Sequence, residues 1–121
     1  MTQINLFRNA TDVKSYPAGH TIFKIGDTVD MLYVVVEGEV EIVYDHRVLE
    51  VVTAGGIFGE MALVSDQPRS ADAITRTDSK LAPVDITRFT YLIQQTPYFA
   101  IDVMRVMAER LRRETERKPN Y

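Results

Sequence analysis

The chain has 121 residues, no cysteine and a net charge of −3. That length suits one domain, and the missing cysteine excludes disulfides, thiol catalysis and thiolate zinc sites. The longest unbroken apolar run, residues 31–36, is too short to span a bilayer, the N-terminus lacks the pattern of a secretory signal, and the charge gives no pull toward nucleic acid or acidic lipid; a cytoplasmic protein with no membrane or nucleic-acid partner is expected.

The first two-thirds is punctuated by turn signals: Pro17-Ala18-Gly19, Gly26-Asp27, Glu37-Gly38, Asp45-His46, Gly55-Gly56, Gln67-Pro68 and Thr77-Asp78. Between them lie short β-rich runs at 13–16, 21–25, 31–36, 39–44, 48–52, 71–76 and 80–86. This spacing predicts an all-β sandwich or barrel. Glu39-Val40-Glu41-Ile42 alternates strictly, so one face is wet and the other buried. Glu37-Gly38, between Val36 and Val40, is read as a tight hairpin.

The pattern changes after Ile86. Phe89, Leu92 and Ile93 follow helical spacing, which predicts a short helix over 87–95 that stops before Pro97. A longer helix is expected over 97–117, with Pro97 suited to its first turn. Phe99, Val103, Val106, Met107 and Leu111 form one apolar stripe, widened by Ile101, Met104 and Ala108. Two readings of this helix compete, packing on the β part alone or pairing as well with a second copy in a homodimer, and the stripe, broader than one packing face needs, favours the second. Met104 and Met107 are read as core or dimer seam. Residues 105–118 carry six basic side chains against three acidic ones. With no aromatic residue interleaved, they are read as a solvated helix end whose cations suit the dipole. The chain is treated as one domain: a short leading segment, 1–12, a β part, 13–86, a short helix, 87–96, and the long helix.

The stretch FGEMALVSDQPRSA, residues 58–71, carries the chemistry. Pro68 disfavours helix at Gln67, so a single helical turn is expected to begin near Gly59 or Glu60 and to return sharply into the strand after Arg69. The start of such a turn offers backbone N–H groups to an anion. Arg69 adds a fork suited to the two free oxygens of a phosphate diester. Gly59 and Ala62 let backbone approach a ligand closely. Glu60 fits such a cradle if it is offset from the phosphate and accepts from a neighbouring ribose 2′-hydroxyl; it could also orient Arg69. There is no lysine-bearing phosphate loop, so a singly charged nucleotide fits better than a triphosphate. An exposed Glu60–Arg69 salt bridge is the competing reading, and such pairs are common and weak.

This stretch resembles the phosphate-binding cassette of the cyclic nucleotide-binding domain family, and residues 16–43, with Gly26-Asp27 and Gly38, resemble its first strands. The resemblance implies a mainly β fold, an antiparallel β-roll of jelly-roll type with about eight strands, a short cassette helix and two C-terminal helices. It implies that Glu60 binds the ribose 2′-hydroxyl with Gly59 beside it, that Arg69 binds the cyclic phosphate, and that Ser70 adds a hydroxyl to the phosphate or base. Backbone amides around Met61 and Ala62 would assist. The base would lie on apolar roll residues under the last helix, the lid, with Arg110 and Thr115 as the polar lid residues able to reach a purine. Phe58 and Tyr33 could touch a base, although aromatics in a small roll are commonly core.

The expected function is non-catalytic sensing of cAMP, ahead of cGMP, with a signal through the C-terminal helix to an effector protein. The alternative is a nucleotide-independent interaction or dimerisation module. His20 and His46 fall at turns and lack the ligand spacing of a metal-binding cupin, so no metal and no cofactor is expected. The leading segment is shorter than the family's, and Met1 with no trailing linker suggests a complete, free-standing sensor.

Overall fold

A computed structural model describes residues 4, 6–7, 10, 12–28, 31–65 and 67–116, the last three by backbone only. The chain order is β1 (Lys14–Tyr16), β2 (Thr21–Phe23), β3 (Met31–Glu37), β4 (Val40–Tyr44), β5 (Arg47–Val52), β6 (Ile57–Phe58), α1 (Met61–Val64), β7 (Asp72–Thr75), β8 (Ser79–Asp85), α2 (Ile86–Gln95) and α3 (Pro97–Glu116). The strands form two four-stranded sheets, ordered β1-β8-β3-β6 and β2-β7-β4-β5. All the strand pairs are antiparallel. The expected β-roll with a cassette helix and two C-terminal helices is the observed fold.

The apolar run at 31–36 is explained by the place of β3. Leu32 and Val34 join a core with Ile57, Ala82, Val84 and the helix residues Phe89, Phe99, Val103 and Val106. Val35 faces the other way, into a second core with Phe23, Val40, Val52, Phe58, Ala73 and Leu81. A strand covered on both faces has no polar side to write into its sequence. The first sheet therefore lies between the helices and the second sheet. Aromatic edges join the elements on the helical side: Phe99 meets Phe7 at 6.2 Å and Phe89 at 5.6 Å between ring centroids.

Three expectations change. Glu37-Gly38 is not a hairpin: β3 pairs with β8 and β6, and β4 with β5 and β7, so the chain crosses from one sheet to the other there. Gly38 has φ +95°, and a Cβ on it would lie 2.3 Å from Ser79 Oγ and 2.6 Å from the Asp78 carbonyl. The true two-residue hairpin is Asp45-His46, with φ of 50° and 61°, joining Tyr44 to its partner Arg47. β6, two residues long, is too short for a periodic signal and was absent from the predicted runs. Finally, the α3 stripe divides in two. Phe99, Val103 and Val106 are buried against the first sheet, whereas Ile101, Met104 and Leu111 are exposed; Leu111 is turned away from the face that packs on the roll.

The helix starts follow local chemistry. Asp85 caps α2, its Oδ1 accepting from the Arg88 amide at 2.8 Å. Arg88 in turn reaches Asp12 and the Pro83 carbonyl, which ties the segment ahead of β1 to the helix. Among the described residues no helix is long and apolar enough to cross a membrane. The crossing at Gly38 is expected to tolerate no side chain: Gly38→Ala should lower stability by about 3 kcal/mol, from left-handed backbone strain and displacement of the Ser79 backbone, measured by equilibrium urea denaturation.

Candidate functional site

The cassette is built around Arg69. Its backbone is held by the turn at Gly26-Asp27, where the Arg69 amide donates to the Asp27 carbonyl and the Gly26 amide to the Arg69 carbonyl, each at 2.8 Å. Asp27 Oδ2 closes that turn by accepting from the Lys24 amide at 2.9 Å. The side chain is held too. Nη1 donates to the Gly59 carbonyl at 2.8 Å and Nη2 to the Met31 carbonyl, while the guanidinium lies 4.0 Å from the centroid of Phe23. Arg69 is only 6% exposed, so the competing reading of an exposed surface pair fails.

Gly59 is required by this arrangement. Its φ is +79°, and a Cβ would sit 2.7 Å from Arg69 Nη1 and 3.1 Å from the Met31 carbonyl oxygen. Next to it, Glu60 is 4% exposed and precedes the single turn α1, as expected. The Ala62 amide makes a 3.3 Å bond back to the Gly59 carbonyl, which engages one of the two amides expected to serve a ligand. Met61 is exposed.

Glu60 meets a partner from the other end of the chain. Arg110, on α3, donates from Nη1 to Glu60 Oε1, from Nε to Glu50 Oε1 at 3.0 Å and from Nη2 to Glu50 Oε2 at 3.1 Å. Nη2 also reaches the Ile57 carbonyl. Arg113, one turn on, lies 3.4 Å from Glu50 Oε1. Burial works against the Arg110 charge, but the Glu50 hydrogen bonds and the charges of Glu60 and Glu50 outweigh it and raise its pKa above the ordinary value. Arg110 thus joins the last helix to β5 and to the cassette.

These residues line one cavity of about 370 Å³, within the range of small-molecule sites. Phe58, Gly59, Glu60, Met61, Ala62, Arg69, Ser70 and Arg110 all lie on its wall, together with Phe23, Ile42, Leu49 and Glu50. Ser70 is exposed there. Phe58 is both wall and core, at 1% exposure, stacked on Tyr33 at 5.3 Å. Burial, with the neighbouring Tyr16, raises the Tyr33 pKa above its ordinary value. The Thr115 side chain lies outside the described residues. Among the described lining residues, three arginines face two glutamates, a surplus of one positive charge suited to a monoanion.

The sequence reading missed Glu50, Arg113 and Phe23. A signal for Glu50 was present: on β5 it shares a face with buried Val52, so a carboxylate stands where alternation calls for an inward residue. Phe23 had no such mark, since its role under Arg69 comes from a distant strand. His20 meets the Tyr16 ring at a tilt, 5.1 Å between centroids, His46 sits in the β4–β5 turn, and no group of three candidate metal ligands occurs among the described residues.

Known proteins are similar to this chain in sequence and fold. A family model described as the cyclic nucleotide-binding domain matches residues 13–96. A CRP-like cAMP-activated global transcriptional regulator of Mycobacterium tuberculosis is 32% identical over 103 residues, covering 81% of this chain and 46% of the regulator. A cGMP-dependent protein kinase of Plasmodium berghei is 34% identical over 82 residues, 68% of this chain and 10% of the kinase. The crystal structure of Thermus thermophilus catabolite activator protein superposes with a TM-score of 0.83 at 30% identity, over 95% of this chain and 56% of that one. This chain therefore spans about half the length of the curated bacterial relative it matches. With the family model covering most of its length and a relative 32% identical over 81% of it, the chain belongs to the cyclic nucleotide-binding domain family.

Proposed function

We propose that the chain is a non-catalytic sensor of a 3′,5′-cyclic nucleotide, cAMP ahead of cGMP. The observation that carries this reading is the burial of Glu60 and Arg69 in one cavity wall, at 4% and 6% exposure. Burying two ionisable groups costs free energy unless they are paired or serve a ligand. Arg69 supplies a preorganised cation for the cyclic phosphate. Of the two Glu60 oxygens, Oε1 is engaged by Arg110, and Oε2 is assigned to the ribose 2′-hydroxyl. Ser70 is assigned to the phosphate or base, Phe58 to the cavity wall behind the ligand.

The order of the two nucleotides is supported by the relatives: the cAMP-activated regulator matches 81% of this chain, the cGMP-dependent kinase 68%. The regulator is named as acting on transcription. The expectation of no nucleic-acid partner, drawn from the charge of these 121 residues, is accordingly confined to them and is not extended to any larger protein.

Signalling is assigned to α3. Arg110 holds that helix on Glu60, a residue the sugar also uses, so ligand binding changes the contacts that position the helix, the differential interaction a two-state shift requires. The readout surface is the exposed row Ile101, Met104, Ala108 and Leu111. Its spacing is that of a and d positions in a coiled coil, which fits a second copy of the chain. The alternative, a nucleotide-independent dimerisation module, has one observation in its favour: Arg110 already satisfies both glutamates without a ligand.

Calorimetric titration of nucleotide-stripped protein with cAMP and cGMP separates the two readings. Saturable binding is expected, and its absence for both nucleotides in folded protein leaves only the dimerisation module. Arg69→Lys keeps a charge but loses the fork, and should weaken cAMP binding roughly ten- to a hundredfold, the worth of charge-assisted hydrogen bonds, with circular dichroism confirming the fold. For the seam, Met104→Glu with Leu111→Glu should convert a dimer to a monomer in sedimentation velocity; a wild type already monomeric at high concentration rules the seam out.

A further inference from the structure

Glu50 is a carboxylate that an anion site does not require. Its side chain is 12% exposed and lines the same cavity as Arg69. Repulsion of a phosphate and loss of water both argue against it there. Pairing with Arg110 accounts for part of the Glu50 acceptor capacity only, since Glu60 shares that guanidinium through Nη1. The position instead places Glu50 where the remainder of a nucleotide must go.

Sugar and phosphate are assigned above to Glu60 and Arg69, on the cassette wall. The base is bonded to the sugar carbon adjacent to the one bearing the 2′-hydroxyl, so it leaves Glu60 for the rest of the cavity. That part is lined by Ile42 and Leu49, on β4 and β5, and by Glu50. The two aliphatic side chains offer a surface to the face of a base, and Glu50 offers the polar group beside them. Glu50 and Glu60 also sit on different edges of one guanidinium, Nε and Nη2 against Nη1. A sugar held at Glu60 thus brings its base to the Glu50 side.

The fork from Arg110, at 3.0 and 3.1 Å, orients the carboxylate, and Arg113 at 3.4 Å adds a second positive charge. A carboxylate has about four acceptor sites, so Oε2, which takes one bond from Arg110 Nη2, retains a lone pair. Held in this way, the Glu50 carboxylate is aimed, and its oxygens serve as acceptors.

We propose that Glu50 reads the base, its Oε2 accepting an N–H from the edge of a purine, and that it is the specificity-determining residue of the site. This rests on the cyclic-nucleotide reading. Adenine offers its 6-amino group, and guanine its N1–H and 2-amino group. A purine with no N–H leaves the remaining lone pair of Oε2 without the donor a base would supply, the kind of situation in which sites discriminate most strongly.

The test compares cAMP with the 3′,5′-cyclic phosphate of purine riboside, which has the same sugar and phosphate but no N–H on the base. By calorimetry the wild type should bind the purine riboside ligand roughly ten- to a hundredfold more weakly. In Glu50→Met, similar in length and unable to accept from the base, the two ligands should bind within about twofold of each other. A residue that only tethered Arg110 would weaken both ligands by one factor and leave their ratio unchanged, which overturns the proposal. So does equal binding of the two ligands by the wild type, a result that needs no variant to fold. If the folded wild type binds neither ligand nor cGMP, the cyclic-nucleotide reading itself falls.

Discussion

The guanidinium of Arg110 is the point through which the two halves of this protein are joined chemically. It comes from the last helix, it forks onto Glu50 of β5, and it reaches Glu60 and the Ile57 carbonyl beside the cassette. Apolar packing of Phe99, Val103 and Val106 holds the helix against the first sheet, but packing does not know about a ligand. The charged contacts do, because one of their acceptors is a residue that a nucleotide sugar would use. A half-buried arginine paired with two carboxylates at this place fastens the helix to the cavity wall.

Arg69 works in a different way. Everything around it acts to keep it still: the Gly26-Asp27 turn on its backbone, the Gly59 and Met31 carbonyls on its head, and the Phe23 ring beneath. A cation immobilised before a ligand arrives loses little entropy on binding. The two arginines differ in their partners. Arg69 is bonded to main-chain carbonyls near its own turn, whereas Arg110 is bonded to side chains on other elements.

The two-sided burial of the first sheet makes this division possible. Its inner face packs on the second sheet and its outer face carries the helices. The roll is thus complete as a core without its exposed helix face, which leaves Ile101, Met104 and Leu111 at the surface. The apolar stripe on α3 is broad because it serves two surfaces, one buried in the monomer and one that remains open.

Local features of the chain were legible in the sequence. The turn residues marked the strands, Pro97 marked the start of α3, and the glycine, glutamate, proline and arginine of residues 58–71 marked the cassette, because each of those signals depends on a few neighbouring residues. What escaped depends on pairing at a distance. A hairpin and a sheet crossing look alike at Glu37-Gly38, since both can use a glycine with positive φ, and only the partners of β3 and β4 distinguish them. β6 is too short to show a period. Glu50 and Arg110 are separated by 60 residues, and nothing local says that a carboxylate in one strand faces an arginine in a helix so far along. The sequence by itself determined which residues could hold a phosphorylated sugar; only the tertiary structure decided which of them are buried, which are already paired, and that the last helix is fastened to them, because burial and charge pairing are properties of neighbours in space.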